Sequence, residues 1–186
     1  MKSSYTRRIW TTLAALFCAF SLQAQVDCGN GRYITEIFSD VDMTSDITYG
    51  NNINVIGDNQ SLELDIYEPS GDQATLRPLI MLQHGGSFIF GDKAGPDITA
   101  IAEPLARMGY VVASVEYRLG MEGIPFPGPD SATASEAVWR AVADFKAAVR
   151  WFHMSAETGN PYPGASEEAE VGLRCGPLSA AKTVLA

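Results

Sequence analysis

The stretch "PLIMLQHGGSFIFG", Pro78 to Gly91, joins an apolar run to one histidine and two adjacent glycines. PLIMLQ is apolar almost throughout, which is typical of a strand that is covered on both faces. The glycines carry no Cβ, so their N–H groups can point freely into a cleft and bind a developing negative charge on oxygen. We therefore predict a central strand that ends in an anion-binding loop built on Gly85 and Gly86. The alternative is that the glycines only make a tight turn.

A second strand and an intervening helix follow this loop. "YVVASVEY", residues 110–117, is another buried run and favours a second central strand. Between the two runs, "PDITAIAEPLARMG" predicts a helix with Asp97 as N-cap, Gly109 as stop signal and Pro104 as the site of a kink. Its predicted buried face comprises Ile98, Ile101, Leu105 and Met108. The expected result is one βαβ unit.

The flanking sequence extends this unit in both directions. "SLELDIYEP", residues 61–69, alternates as a half-buried strand does, and "DITYG", residues 46–50, is a weaker strand-like piece. Residues 131–156 predict a long helix with Thr133 and Glu136 as a capping box. The stripe predicted to face the sheet comprises Val138, Val142, Phe145, Val149 and Phe152. The expected fold class is α/β, a mostly parallel open sheet flanked by helices.

The amino terminus has the layout of a secretory signal peptide. Lys2, Arg7 and Arg8 precede an apolar run and a small residue at Ala24, and we expect cleavage there and export of the mature chain. The run has about 14 residues where a spanning helix needs roughly 20, so no stable membrane anchor is expected. The mature chain would carry ten basic and 22 acidic residues, a net charge of −12. This charge argues against nucleic acid as a partner.

Cysteine and histidine are sparse. After cleavage only Cys28 and Cys175 remain, and export permits a disulfide between them without requiring one. His84 and His153 have no cysteine at ligand spacing. We predict no metal site and no cofactor.

Three segments in order, "HGGSFIFGDK", "GYVVASVEYRLG" and "DFKAAVRW", resemble the amino-terminal half of the α/β-hydrolases, in the carboxylesterase and lipase branch with an HGG loop. "LELDIYEP" is similar to the second strand of that branch, so the resemblance covers about residues 61–151. It implies a serine hydrolase that cleaves a small-molecule carboxylic ester.

The resemblance assigns roles to the loop residues. Gly85 and Gly86 would form part of the oxyanion hole through their backbone N–H groups. His84 would support the loop rather than act as the catalytic base. Ser87 would also lie in the loop, where the fuller HGGG motif has its third glycine.

The resemblance also implies a buried structural ion pair for Arg118, because a buried arginine without a carboxylate is costly. The sequence leaves Glu116 and Asp92 open as its partner. Asp144, on the long helix, is expected to be solvated or to cap a neighbouring loop.

The reactive half of such an enzyme is absent from these residues. No G-x-S-x-G nucleophile motif occurs, and no histidine follows His153 to serve as the base. The nearest imitation, "GPLSAA", places Ser179 at the wrong spacing. We expect a truncated or frame-shifted reading frame and a chain that is inactive as written.

The expected organisation has four parts: a signal peptide (1–24), a polar segment (25–60), the hydrolase half (61–156) and an atypical tail (157–186). In the strand order of the family, the nucleophile strand pairs beside PLIMLQ, so its absence predicts an open strand edge and self-association. A second interpretation stays open, a secreted non-catalytic binding protein on the same scaffold.

Overall fold

The computed structural model describes residues 29–74, 77–122 and 128–157. After a short 3-10 turn at Gly29–Gly31, its elements are β1 (Val41–Ile53), β2 (Asn59–Pro69), β3 (Leu79–Gln83), α1 (Pro96–Arg107), β4 (Val111–Val115) and α2 (Ser131–Glu157). Several predictions fall outside the described residues: the signal peptide, Cys28, Cys175, Ser179 and residues 158–186 of the tail.

The four strands form one mixed sheet in the order β1-β2-β4-β3. β3 and β4 are parallel, whereas β2 is antiparallel to both β1 and β4. The side chains of α1 pack on one face of the sheet and those of α2 on the other, which gives two apolar layers. The predicted α/β class, an open sheet flanked by helices, is confirmed, but the sheet is mixed rather than mostly parallel over the described strands, since two of their three pairings are antiparallel.

The two strands predicted to be central differ in position. β4 is central, and all five of its residues are buried. β3 pairs with β4 alone among the described strands, so it lies at one end of their sheet. Leu79, Ile80 and Met81 remain partly exposed and Leu82 is buried. Cover on both faces therefore holds for β4, and the outer edge of β3 has no partner strand within the described residues.

β2 is more buried than its alternating sequence predicts. Leu64 and Ile66 face the α2 layer, as the alternation requires. Asp65 and Tyr67 on the other face are also buried, because α1 and the loop after β3 cover them. The expectation of a half-buried strand is wrong for residues 64–67.

β1 is longer than the predicted piece at residues 46–50. It spans 13 residues within the polar segment and pairs with β2 along its length, with a bulge between Thr44 and Ile47. Asp46 takes a positive φ of 60° at this bulge. Most of β1 is exposed, since it is the outer strand, so it needs few apolar residues and leaves a weak pattern in the sequence.

α1 begins two residues earlier than predicted. Gly95 is the N-cap, Pro96 opens the helix, and Asp97 lies in the first turn instead of capping it. Gly109 has a φ of +105° and ends the helix as predicted, with its N–H donating to the carbonyl of Ala106. The buried side chains are Ile98, Ala102 and Ala106, whereas Ile101 is half exposed.

α2 also packs through small residues. Asp130 caps it by accepting hydrogen bonds from the N–H groups of Ala132 and Thr133, so the predicted capping box is wrong. The buried positions are Ala137, Ala141, Asp144, Ala148, Phe152 and Ser155. Val138 and Val142 of the predicted stripe remain substantially exposed. Alanine lets the helix approach the sheet closely, and this moves the buried face about one residue away from the valines.

The segment before β1 is fastened to the opposite end of the sheet from the glycine loop. The guanidinium of Arg32 donates two hydrogen bonds to Asp72, at 2.9 and 2.5 Å, and one to the carbonyl of Gly109. The backbone N–H of Tyr33 donates to the carbonyl of Met108. Within the described ranges, neither helix is both long and apolar enough to cross a membrane.

Candidate functional site

The loop that follows β3 turns back on itself at once. Gly86, Ser87 and Phe88 have positive φ angles of 112°, 54° and 63°. The carbonyl of Gly86 accepts hydrogen bonds from the N–H groups of Ile89 and Phe90, both at 3.0 Å. This turn leaves the backbone from Gly85 to Ser87 on the surface.

Three successive N–H groups in this turn have no acceptor within the described part of the chain, those of Gly85, Gly86 and Ser87. Ser87 keeps a left-handed backbone, so the serine preserves the conformation that a third glycine would favour. Exposed, unpaired N–H groups in consecutive residues of this kind can bind an anion.

The two glycines of the motif have different structural requirements. A Cβ on Gly86 would overlap the carbonyl of Phe90, and its φ is one that L-residues rarely adopt. A Cβ on Gly85 would meet no atom within 4 Å among the described residues. The fold therefore requires glycine at position 86, whereas a Cβ at position 85 would project into open space.

His84 is buried, with 4% of its surface exposed, and both ring nitrogens face acceptors. Nε2 lies 3.0 Å from Oε1 of Glu116, and Nδ1 lies 2.8 Å from the carbonyl oxygen of Gly85. The ring stacks on Tyr117, whose hydroxyl donates to the carbonyl of His84. Burial lowers the pKa of His84, but the hydrogen bonds to Glu116 and Gly85 outweigh it and leave the pKa raised. Both nitrogens are occupied, so this ring offers no free base.

Glu116 binds the loop a second time through its other oxygen. Oε2 accepts a hydrogen bond from the backbone N–H of Lys93 at 2.9 Å. The hydroxyl of Ser114 donates to the carbonyl of Lys93 at 2.7 Å, and Lys93 Nζ lies 3.0 Å from Asp65 and 2.6 Å from Asp46. Burial raises the pKa of Glu116, but the bonds from His84 and Lys93 outweigh it, so the net shift is downward. Both ends of the loop are thus fixed to the sheet.

Arg118 forms its buried ion pair with Asp144. Its Nε and Nη2 donate to the two carboxylate oxygens at 2.8 and 2.7 Å, its backbone N–H donates to the same group, and Nη1 donates to the carbonyl of Ile53. Asp144 is therefore buried, so the expectation of a solvated carboxylate is wrong, whereas its bond from the backbone N–H of Arg118 caps the loop after β4, as the other alternative expected. The candidate partners Glu116 and Asp92 are wrong as well, since Glu116 binds His84 and the loop.

One of these residues could have been found from the sequence, and two could not. Asp144 shares helical spacing with Ala137, Ala141 and Ala148, so a search for the alanine stripe would have placed it inside. Glu116 and Lys93 reach His84 and Asp65 only through the pairing of separate strands, which leaves no local pattern.

Other candidates lie away from the loop. His153 is partly exposed near the carboxyl end of α2. A shallow depression on α1, lined by Thr99, Glu103 and Arg107 among others, includes no residue of the HGGS motif. Over the described ranges, no group of three histidine, cysteine or acidic side chains is arranged to hold a metal ion.

The four-stranded mixed sheet with a helix on each face is a partial α/β-hydrolase-like fold. A family model with the description BD-FAE matches residues 64–160, more than half of the chain. The chain belongs to this family of esterase- and lipase-like α/β-hydrolases.

Solved structures with similarity to the chain are much longer than it is. Brefeldin A esterase, a bacterial homologue of human hormone sensitive lipase, is 22% identical with a TM-score of 0.43, over 84% of this chain and 38% of that one. Esterase B from Lactobacillus rhamnosis is 21% identical with a TM-score of 0.45, over 84% and 40%. Bacterial heroin esterase is 24% identical with a TM-score of 0.42, over 81% and 37%. The chain thus spans less than half of each, and no curated protein matches it significantly.

Proposed function

We propose that the whole protein is a serine esterase that hydrolyses a small-molecule carboxylic ester, and that the HGGS turn supplies its oxyanion hole. One observation supports this most directly: the N–H groups of Gly85 and Gly86 are exposed and have no acceptor among the described residues, at the carboxyl end of β3 in a chain of the BD-FAE family. Active-site loops of open α/β sheets lie at this end.

The proposed chemistry is stabilisation of a tetrahedral intermediate. When a serine attacks the ester carbonyl, its oxygen becomes an anion, and N–H groups fixed in advance stabilise that charge more than they stabilise the ester. Loss of one such donor typically lowers kcat by about 10² to 10³. The backbone of Ser87 leaves a third N–H in the same turn, at the position where the fuller HGGG motif has its third glycine.

The nucleophile and base are not assigned within this sequence. The 186 residues contain no G-x-S-x-G motif and no histidine after His153, so ester hydrolysis is proposed for the whole protein. We infer that parts of the enzyme other than the HGGS loop determine which ester it accepts.

Labelling with a fluorophosphonate, which reacts with activated serines, tests the proposal. The 186-residue chain should not be labelled, whereas a chain continued past codon 160 in whichever other frame restores G-x-S-x-G should be. Gly85→Ala in the extended chain should slow labelling, and Glu136→Gln on the exposed surface of α2 should not. Absence of that motif in both frames, or no labelling after extension, would favour the non-catalytic binding protein.

We also propose that the protein is exported after cleavage near Ala24. The support is the basic, apolar and small-residue layout of residues 1–24. Amino-terminal sequencing of the protein recovered outside the cytoplasm should begin at Gln25 or within a residue or two of it. Recovery of an intact Met1 terminus from the cytoplasm alone would contradict export.

A further inference from the structure

We propose that Glu116 is a positioning residue for the oxyanion hole: its carboxylate holds His84 as an imidazolium, and the imidazolium fixes the direction in which the Gly86 N–H points. This inference rests on the proposed function of the loop. It assigns a positioning role to Glu116 and a charge state to His84. Both residues act through the loop and not by contact with the substrate.

The protonation of His84 follows from its two partners. The carbonyl of Gly85 can only accept a hydrogen bond, and an ionised Glu116 can only accept as well. Nδ1 and Nε2 both lie within hydrogen-bond distance of these acceptors, at 2.8 and 3.0 Å. A neutral ring has one N–H, so it would leave one of the two acceptors facing a lone pair. The geometry therefore requires both nitrogens to carry protons.

The link to the oxyanion hole runs through a single peptide unit. The carbonyl of Gly85 and the N–H of Gly86 belong to the same planar, trans peptide, so they point in opposite directions. When the imidazolium binds the carbonyl, the N–H is turned away from His84, towards the exposed side of the turn. A charged donor on the carbonyl also polarises the peptide and strengthens its N–H as a donor.

The second oxygen of Glu116 completes the restraint at the far end of the loop. It binds the N–H of Lys93, so one carboxylate holds the residue before the glycines and a residue seven positions after Gly86. Gly91 packs against the His84 ring closely enough that a Cβ there would overlap Nδ1. The ring thus has little room to turn while Glu116 is ionised.

The charges around His84 set the direction of its pH response. Glu116 contacts the ring, the carboxylate of Asp92 acts on it through space, and the neutral phenol of Tyr117 stacks on it. The ammonium of Lys93 is directed to Asp46 and Asp65. The pKa of His84 is raised, so the restraint is present below its ordinary value near 6.5 and is lost as the pH rises through the raised value.

Nitrogen-15 NMR of the full chain measures this directly. The chain has two histidines, and a His153→Gln variant leaves the His84 ring to be assigned alone. At pH 6.5 both ring nitrogens of His84 should have the shifts of an imidazolium. On raising the pH, the amide signal of Gly86 should move with the same midpoint as the ring. A mostly neutral ring at pH 6.5, or a Gly86 signal that does not follow the ring titration, overturns the proposal with Glu116 left unchanged.

The variant Glu116→Gln tests whether the charge of residue 116, and not only its hydrogen bonds, is required. Glutamine can accept from the Lys93 N–H and donate to His84 Nε2, so the fold is retained while the ring becomes neutral at Nε2. The midpoint of His84 should shift to lower pH, and the Gly86 signal should shift with it. In Asp92→Asn, which removes a charge that does not touch the ring, the shift should be smaller. An unchanged midpoint in Glu116→Gln overturns the proposal. None of these readouts needs a nucleophile, so they can fail or succeed independently of the labelling test.

Discussion

Replacement of Asp144 by asparagine should destabilise the protein strongly, although the two side chains have nearly the same size. Asp144 is 1% exposed and accepts hydrogen bonds from the guanidinium and the backbone N–H of Arg118. Asparagine leaves the Arg118 charge buried without its counterion, and breaking a buried pair in this way costs about 3 to 5 kcal/mol. Because asparagine retains one acceptor oxygen, we expect a loss near 3 kcal/mol, at the lower end of that range.

Urea unfolding of the full chain, followed by circular dichroism, measures this loss. A domain of this size is typically stable by about 5 to 15 kcal/mol, so the unfolding midpoint should fall visibly while the slope with urea stays constant. The double variant Arg118→Met, Asp144→Leu removes both charges and should be more stable than Asp144→Asn. Glu136→Gln, on the exposed side of α2, should stay within about 0.5 kcal/mol of the wild type.

The reasoning fails if Asp144→Asn costs less than about 1 kcal/mol, as it would for an exposed pair. It also fails if the double variant is the less stable of the two. Either result would mean that Arg118 finds water or another partner once the carboxylate is gone.

Three other perturbations test the remaining features. Gly86→Ala should lower the free energy of unfolding by about 1 to 3 kcal/mol, because Gly86 has a positive φ and the Phe90 carbonyl leaves no room for a Cβ. Gly85→Ala should leave that free energy within about 0.5 kcal/mol of the wild type. Equal losses for the two variants in urea unfolding would contradict this difference. Residues 25–186 should self-associate through the outer edge of β3, and sedimentation that finds only monomer at high concentration would refute this. Burial raises the pKa of Asp72, but the bond from Arg32 and further bonds and charges around it outweigh this and lower the pKa. Its ionisation therefore stabilises the fold above pH 3.8, and this stabilisation is lost as the pH falls through the lowered pKa. The difference in Tm between the wild type and Asp72→Asn should therefore shrink in strong acid. A difference that stays constant would refute the stabilising role of the ionised Asp72.

The strands and helices with dense apolar patterns were predictable. β4 and both helices lie where periodicity placed them, because a buried strand needs continuous apolar residues and a covered helix needs a 3.6-residue repeat. The buried faces of the helices were less accurate. Valine and isoleucine dominate a hydrophobic pattern, but alanine allowed the closer approach in α1 and α2, so Ile101, Val138 and Val142 remain exposed.

Most polar contacts of the site could not be predicted from local sequence patterns. The glycines of HGGS pointed to the turn, since a missing Cβ has a direct geometric meaning. The pairing of His84 with Glu116 depends on β3 and β4 being parallel neighbours, a relation between residues 32 positions apart. Charged residues carry no information about distant partners until the strands are in register.

The outer strand β1 has a practical consequence for anyone who shortens this protein. The family match begins at residue 64, inside β2, and so leaves out every residue of β1. Yet three residues of β1 contact the elements that hold the loop. The hydroxyl of Tyr49 donates a hydrogen bond to the carbonyl of Glu116, the carbonyl of Ile53 accepts one from Arg118, and Asp46 forms an ion pair with Lys93. A fragment trimmed to the family boundary would lack these three contacts, so the residues that position its glycine turn would be held less firmly.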